Sequence, residues 1–333
     1  LLKKESRENL FRDLIDFYRT LIASPSQDNY LKIKKISQEL YTILIKPIKK
    51  YIHGKENLII IPDGIIGLIP FEMLIDEEGK YLVEKYDISY APSIQTLKFL
   101  DNRNHGTREK PILAFGGAVY DEITYEADTI ENNKQLEFMK KLTLSKIDDK
   151  RSTMNAYASL GEVNWSNLQG TLNEVKAINK VVSGASVITG RNVNEHSIKN
   201  MSKTGELEQY KILHFATHGL TVPDFPELSA VVLSQVKKEN EIQDGYLRIS
   251  EIEKLNIKSD FVNLSACETG LGKIYAGEGV VGLIHSFLIA GANAVSASLW
   301  SVEDSSTAKF MVGVYQLVEN RGITYAKAIN IMK

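Results

Sequence analysis

Two stretches of the chain set reactive side chains at the ends of apolar runs. "KILHFATHGL" (211–220) carries His218 followed by Gly219, and "FVNLSACETG" (261–270) carries Cys267, the single cysteine among 333 residues. A thiol attacks as its thiolate, and an imidazole can take that proton or return one to a leaving group. The glycine after His218 leaves space where a backbone N–H can face a substrate carbonyl. Together the amides of Gly219 and Cys267 would make a two-donor oxyanion hole. A lone cysteine is usually a small buried hydrophobe. The flanks "SA" and "ETG" of Cys267 read instead as a strand-to-turn exit.

These residues need a rigid platform, and the pattern around them supplies one. "PILAFGG", "ASVIT", "KILHFAT", "SAVVLS", "DFVNLSA" and "NAVSASLW" are short apolar runs. Amphipathic stretches such as "LNEVKAINKVV", "GVVGLIHSFLIA" and "SSTAKFMVGVYQLV" alternate with them, and Asn194 is placed to cap "NEHSIKNM". Strands apolar on both faces that alternate with helices imply a largely parallel sheet covered on both sides. In such sheets functional groups collect beyond the carboxyl ends of the strands. Upstream, "LIIIPDG" and "GLIPFEML" read as edge strands punctuated by Pro and Gly. Residues 1–56 read as helices, with "PSQDN" breaking the chain and Pro47 ending the second. Residues 120–160 are charged and weakly periodic, and are expected to form an insertion or long surface loop.

The remaining histidines carry bland expectations. His214 lies inside its strand and should pack under a helix; His285 lies on an apolar helix and reads as a core residue. His53, His105 and His196 read as surface residues, and no cluster has metal-ligand spacing. "GLGKIYAGEG" lacks G-x-x-x-x-G-K-[ST], and "AFGGAV" is followed by no G-x-G-x-x-G, so neither reads as a phosphate loop.

In caspases the cysteine of Q-A-C-[RQG]-G follows its histidine by about 50 residues. Here the separation is 267 − 218 = 49, with "SAC" for QAC and the glycine displaced to Gly270. The set "LHFATHG", "LSACETG" and "GEGVVGLIHSFLIAGANAVSASLWSVEDSST" resembles the CHAT domain family, caspase- and separase-like cysteine peptidases often attached to tetratricopeptide repeats. The resemblance extends back through "LQGTLNEVKAIN" and "LIIIPDGIIGLIPFEML", covering most of 57–333. It implies a caspase-like three-layer α/β sandwich with a mostly parallel sheet, preceded by the helical segment. It also implies a clan CD endopeptidase with a His218/Cys267 dyad, no metal or other cofactor, and no tight resting ion pair between the two side chains. The segment after the "NAVSASLW" strand would pair with substrate backbone, placing Trp300 and Ser301 at the rim and Asp304 where it could receive a basic P1 side chain. An equal alternative is that Asp304 caps the helix it precedes; Glu303 and Asp244 are weaker candidates, and Glu268 reads as solvated. The family's distribution points to a bacterial effector, regulated by fused repeats or a partner complex, of the kind found in antiviral and cell-death systems.

Bulk composition limits the alternatives. A net charge of −2 gives no general attraction to nucleic acid or anionic membrane. Residues 1–56 hold 12 Lys/Arg against 7 Asp/Glu, but no aromatic-basic module accompanies the excess. No apolar run approaches the roughly 20 residues of a membrane span, and one cysteine suits a reducing compartment, the cytosol by default. The chain begins without methionine and stops inside a helical pattern, so it reads as a piece of a longer protein, with residues 1–56 continuing an upstream region. The expected organisation is thus 1–56 helical and 57–333 peptidase, acting on a protein substrate. Two other classes stay open: a catalytically silent peptide-binding module of the same fold, and an α/β small-molecule enzyme using Cys267 for acyl transfer. The "KK" at 140–141 and "DDKR" at 148–151 mark the insertion as a candidate self-processing site.

Overall fold

The computed structural model describes residues 2–24, 26–120, 165–222, 226–235, 244–265, 277–298 and 304–333. Cys267, Glu268, Trp300, Ser301, Glu303, residues 270–276 and the expected insertion beyond Tyr120 lie outside these.

The chain divides into two compact units, one of residues 1–104, 273–277 and 317–333, the other of 105–272 and 278–316. In the first, α1 (Leu2–Ala23) and α2 (Gln27–Leu44) bury Ile15, Tyr18, Leu21, Ile22, Ile33, Ile36 and Leu40, apolar positions recurring every three to four residues. Ser26 caps α2 by accepting from Asn29 N–H at 3.2 Å, and α2 gives way to a 3₁₀ turn at Lys46–Ile48 where Pro47 removes a donor. A short α3 (Lys49–Ile52) precedes a two-stranded parallel sheet of β1 (Asn57–Ile60) and β2 (Asp87–Tyr90). "GLIPFEML" is not a strand: Gly64–Leu68 and Phe71–Met73 are 3₁₀ turns. Pro70 between them cannot donate to a ladder, and Gly64 at φ +53° bends the chain. α4 (Ile94–Asp101) closes this stretch.

The second unit is built on five parallel strands. They are β3 (Lys110–Gly116), β4 (Ser186–Thr189), β5 (Tyr210–Ala216), β9 (Phe261–Leu264) and β10 (Val295–Ala297), in spatial order β10-β9-β5-β3-β4. Between β3 and β4 runs α5 (Gln169–Val181), and between β4 and β5 runs α6 (Glu195–Lys203), capped by Asn194 as its position predicts. Between β5 and β9 the chain makes a small antiparallel sheet of β6 (His218–Leu220), β7 (Ala230–Val232) and β8 (Tyr246–Arg248), then the short α7 (Ile249–Ile252). α8 (Gly277–Ala290) links β9 to β10, α9 (Asp304–Arg321) follows β10, and α10 (Tyr325–Met332) ends the chain.

Alternation along the strands assigns the two faces of the sheet. Leu113, Phe115, Leu213, Phe215, Val262 and Leu264 form one core with Ile198 and Met201 of α6 and Leu283 and Phe287 of α8. Phe115 and Phe215 stack there with ring centroids 4.9 Å apart. On the other face Ala114 and Ala216 meet Val175 of α5. A Cβ on Gly116 would come within 2.7 Å of Thr171 O, so small residues are what let α5 lie this close. The result is the three-layer α/β sandwich. The chain leaves β3 in one direction towards β4 and returns on its other side as β5, so the ends of β3 and β5 flank a topological switch point, where clefts form in open sheets.

Candidate active site

β5 ends at Ala216, the chain bends at Thr217, and His218 opens β6. The imidazole is fully buried and held from three sides. Its Nε2 lies 2.7 Å from the carbonyl oxygen of Ser166. A carbonyl only accepts, so Nε2 carries the proton, and in the neutral ring Nδ1 holds the lone pair. Tyr120, just past β3, packs edge-on at a centroid distance of 4.8 Å, and Trp165 lies at 4.9 Å. Trp165 Nε1 donates to Tyr246 Oη on β8 at 2.9 Å. The Tyr120 hydroxyl also accepts from His218 N–H (3.2 Å) and donates to Val232 O (3.0 Å), bridging the His218↔Val232 pair of β6 and β7.

The ladder also fixes the direction of the Gly219 amide. Leu233 N–H donates to Gly245 O and Ile249 N–H to Ser229 O, so residues 229, 231 and 233 turn their backbone groups to the β8 side. In an antiparallel ladder the alternate residues, 230 and 232, then face β6, where they pair with Leu220 and His218. Gly219, opposite Val231, therefore points its N–H away from β7.

β9 lies next to β5 with Ile212↔Phe261, Leu213↔Val262, His214↔Asn263 and Phe215↔Leu264 in register. Ser265, the last described residue of this exit, is buried and donates to Glu174 Oε1 at 2.8 Å. β10 runs parallel to β9, so its carboxyl end lies at the same edge of the sheet as that of β9.

The secondary candidates fall elsewhere. Asp244 is buried and occupied, pairing with Arg248 at 2.6 Å and accepting from Tyr246 N–H at 2.9 Å, so it is no substrate acid. It belongs to a cluster under β8 in which Lys199 Nζ lies 2.8 Å from Glu195 and 2.7 Å from Glu251. Glu195 Oε2 also accepts from Gly245 N–H at 2.7 Å. Burial, and then the nearby Asp244, push the Glu195 carboxyl up to about 7, against the opposing pull of Lys199. The carboxylates Glu195 and Glu251 hold Lys199 above its ordinary value although its burial works the other way. His214 is completely buried under α5, and its partners are polar: Glu174, Asn263 and Tyr315. His285 is half-buried, which pushes its pKa down; His53 and His196 are exposed, and His105 is half-buried rather than on the surface. Among the described residues no group of three or more His, Cys, Asp or Glu side chains could hold a metal ion, and no described helix is long and apolar enough to cross a membrane.

A sequence model of the CHAT domain matches residues 34–330. The chain belongs to the CHAT domain family. A similar curated protein is human tetratricopeptide repeat protein 28, 22% identical over 372 aligned residues, which cover 96% of this chain and 13% of that protein. The chain thus spans a small part of the relative it matches. CHAT domains carry a caspase-like cysteine peptidase fold, and the parallel sheet with helices on both faces is that fold here. Tyr120, Trp165, Ser166 and Tyr246 around the histidine were invisible in the sequence. Ser166 and His218 lie 52 positions apart, and nothing in the spacing of an isolated Trp or Tyr marks a neighbour across that distance.

Proposed function

We propose that this CHAT domain is a cysteine endopeptidase that cuts a protein substrate through His218 and Cys267. The observation that carries the reading is the register of β5 and β9. Their pairing offset is 264 − 215 = 49, and the two residues differ by 267 − 218 = 49. In sequence each therefore follows the last paired position by three residues, beyond the ends of two neighbouring parallel strands about 4.8 Å apart. Cys267 attacks the scissile carbonyl, and the Gly219 amide, turned away from β7, stabilises the developing oxyanion together with that of Cys267. His218, with Nε2–H held by Ser166 O, takes the thiol proton on its other ring nitrogen and passes it to the leaving amine, and water then hydrolyses the acyl-enzyme thioester.

Residues 57–333 form the catalytic domain on this reading, with 1–56 joining it to a regulatory repeat region, as the name of the human relative suggests. The setting is a reducing compartment, and the role is that of a regulated effector in bacterial defence or cell death. The rim beyond β10, with Trp300 and Ser301, binds substrate backbone, and Asp304 selects a basic P1 residue. A peptide library screened with the wild type, Cys267→Ala and His218→Ala tests the mechanism. Both variants should lose cleavage by roughly 10³-fold or more. Peptide bound but never cut, or turnover confined to thioesters, refutes it. Unchanged cleavage preference in Asp304→Ala refutes the P1 assignment alone.

A further inference from the structure

The face of the sheet opposite the Phe115–Phe215 core carries a buried polar layer that the proposed chemistry does not use. Glu174 of α5 is 1% exposed and His214 of β5 is 0% exposed. Ser296 of β10 donates to Asn263 Oδ1, which turns the Asn263 amide nitrogen to His214 Nδ1 at 3.1 Å. Tyr315 Oη of α9 lies 3.0 Å from the same nitrogen. With Nδ1 accepting from Asn263, the ring proton sits on Nε2, 3.1 Å from Glu174 Oε1. That contact is close but poorly aligned for a hydrogen bond, and Glu174 Oε2 has no partner among the described residues. The Ser265 hydroxyl is therefore the one hydrogen-bond donor given to this buried carboxylate among the described residues.

A buried carboxylate supplied with so few donors needs a reason. Ser265 is the first residue beyond β9, two positions before Cys267. We propose that Glu174 is a positioning residue: by holding the Ser265 hydroxyl it fixes the exit of β9, and so the setting of the thiol that follows. His214 serves as the neighbour that keeps the carboxylate turned to that hydroxyl. The role rests on the reading of Cys267 as the nucleophile. A charge-assisted O–H···O⁻ bond is among the stronger ties a side chain can make in a dry layer. Displacement of a reacting atom by about 1 Å costs on the order of 10²-fold in rate.

Cys267 is the single cysteine, so alkylation by iodoacetamide, followed by the mass of the intact chain, reports on it alone. Ser265→Ala should remain folded with a Tm lowered by a few degrees, because Glu174 loses its donor, and its thiol, released from its setting, should alkylate about fivefold faster or more. In the peptide assay the same variant should lose about tenfold or more in kcat with KM little changed. Glu174→Gln keeps the shape and replaces the charged acceptor by a neutral one, so it should move both readouts part of the way. Ser265→Thr keeps the hydroxyl and should restore wild-type values within about twofold. A merely structural tie would lower Tm and leave the folded protein's alkylation and kcat unchanged. Alkylation rates within about twofold of the wild type in folded Ser265→Ala overturn the proposal. If the wild type cuts no peptide, the peptidase reading has failed by itself, and the alkylation rates alone decide this one.

Discussion

The acid–base cluster under β8 makes the stability of the histidine-bearing sheet depend on pH. Three carboxylates, Glu195, Asp244 and Glu251, share two cations, Lys199 and Arg248. One negative charge is left over in a buried place, and Glu195, pushed up by its burial and then by Asp244, retains its proton to about pH 7 against an ordinary 4.5. Between those two values the folded state binds a proton that the unfolded chain has released. Stability from this group is therefore full below about pH 4.5 and is lost as pH rises to about 7. A shift of about 2.5 units corresponds to an upper bound of about 3 kcal/mol, of which about 2.5 kcal/mol falls between pH 5 and 8. Glu195→Gln cannot titrate yet keeps an acceptor for Gly245 N–H. Urea unfolding of both proteins at several pH values isolates the group, because Asp244 and Glu251 remain in each. Relative to the wild type, the variant should gain about 2 to 3 kcal/mol from pH 5 to pH 8. A difference constant to within about 0.5 kcal/mol across that range would falsify the assignment of the proton to Glu195.

Two further outcomes are expected. Tyr120→Phe keeps the ring against His218 but removes the hydroxyl between His218 N–H and Val232 O, so it should cost about 1 to 3 kcal/mol. Faster hydrogen exchange at the His218 amide would accompany it, and unchanged exchange would count against the bridge. Gly291 follows α8 at φ +125°, and a Cβ there would sit 1.9 Å from Ile257 O. Gly291→Ala should therefore lower stability by more than about 2 kcal/mol, read as a fall in Tm of several degrees, whereas a neutral substitution would contradict the close approach.

The sheet strands were legible because β3, β5 and β9 are buried on both faces and so read as continuous apolar runs. The helix starting after Asn194 was legible for a local reason, since its cap lies within three residues of its target. Residues 64–73 misled because Pro and Gly in an apolar run suit an edge strand and a series of 3₁₀ turns equally well. Asp244 drew notice as a free acid because its neutralisation by Arg248 depends on a turn that periodicity does not reveal. His214 could be placed under a helix from its strand position. That the helix meets it with a carboxylate could not, because Glu174 looks like any polar residue of an amphipathic pattern. Tyr120, Trp165 and Ser166, which contact His218, come from segments remote in sequence, and the switch-point topology brings them to one end of the sheet.

That topology gives α5 and the residues just before it an additional role. Ser166 O, three residues before the helix, holds His218 Nε2; Thr171 Oγ1 in its first turn accepts from Gly117 N–H at the end of β3; Glu174 in its second turn holds Ser265 at the end of β9. Three strand exits are thus referenced to one stretch of nine residues, 166–174, whose helical part is rigid. The close approach over Ala114, Gly116 and Ala216 leaves α5 little freedom to slide, since a single Cβ on Gly116 would already collide with its backbone. A perturbation of α5 should then move the β5 and β9 exits together, whereas a change in the β6–β7–β8 hairpin should act on His218 and leave Ser265 where it is. The two kinds of variant are separable by experiment: the first changes both Cys267 alkylation and His218 amide exchange, the second the exchange alone.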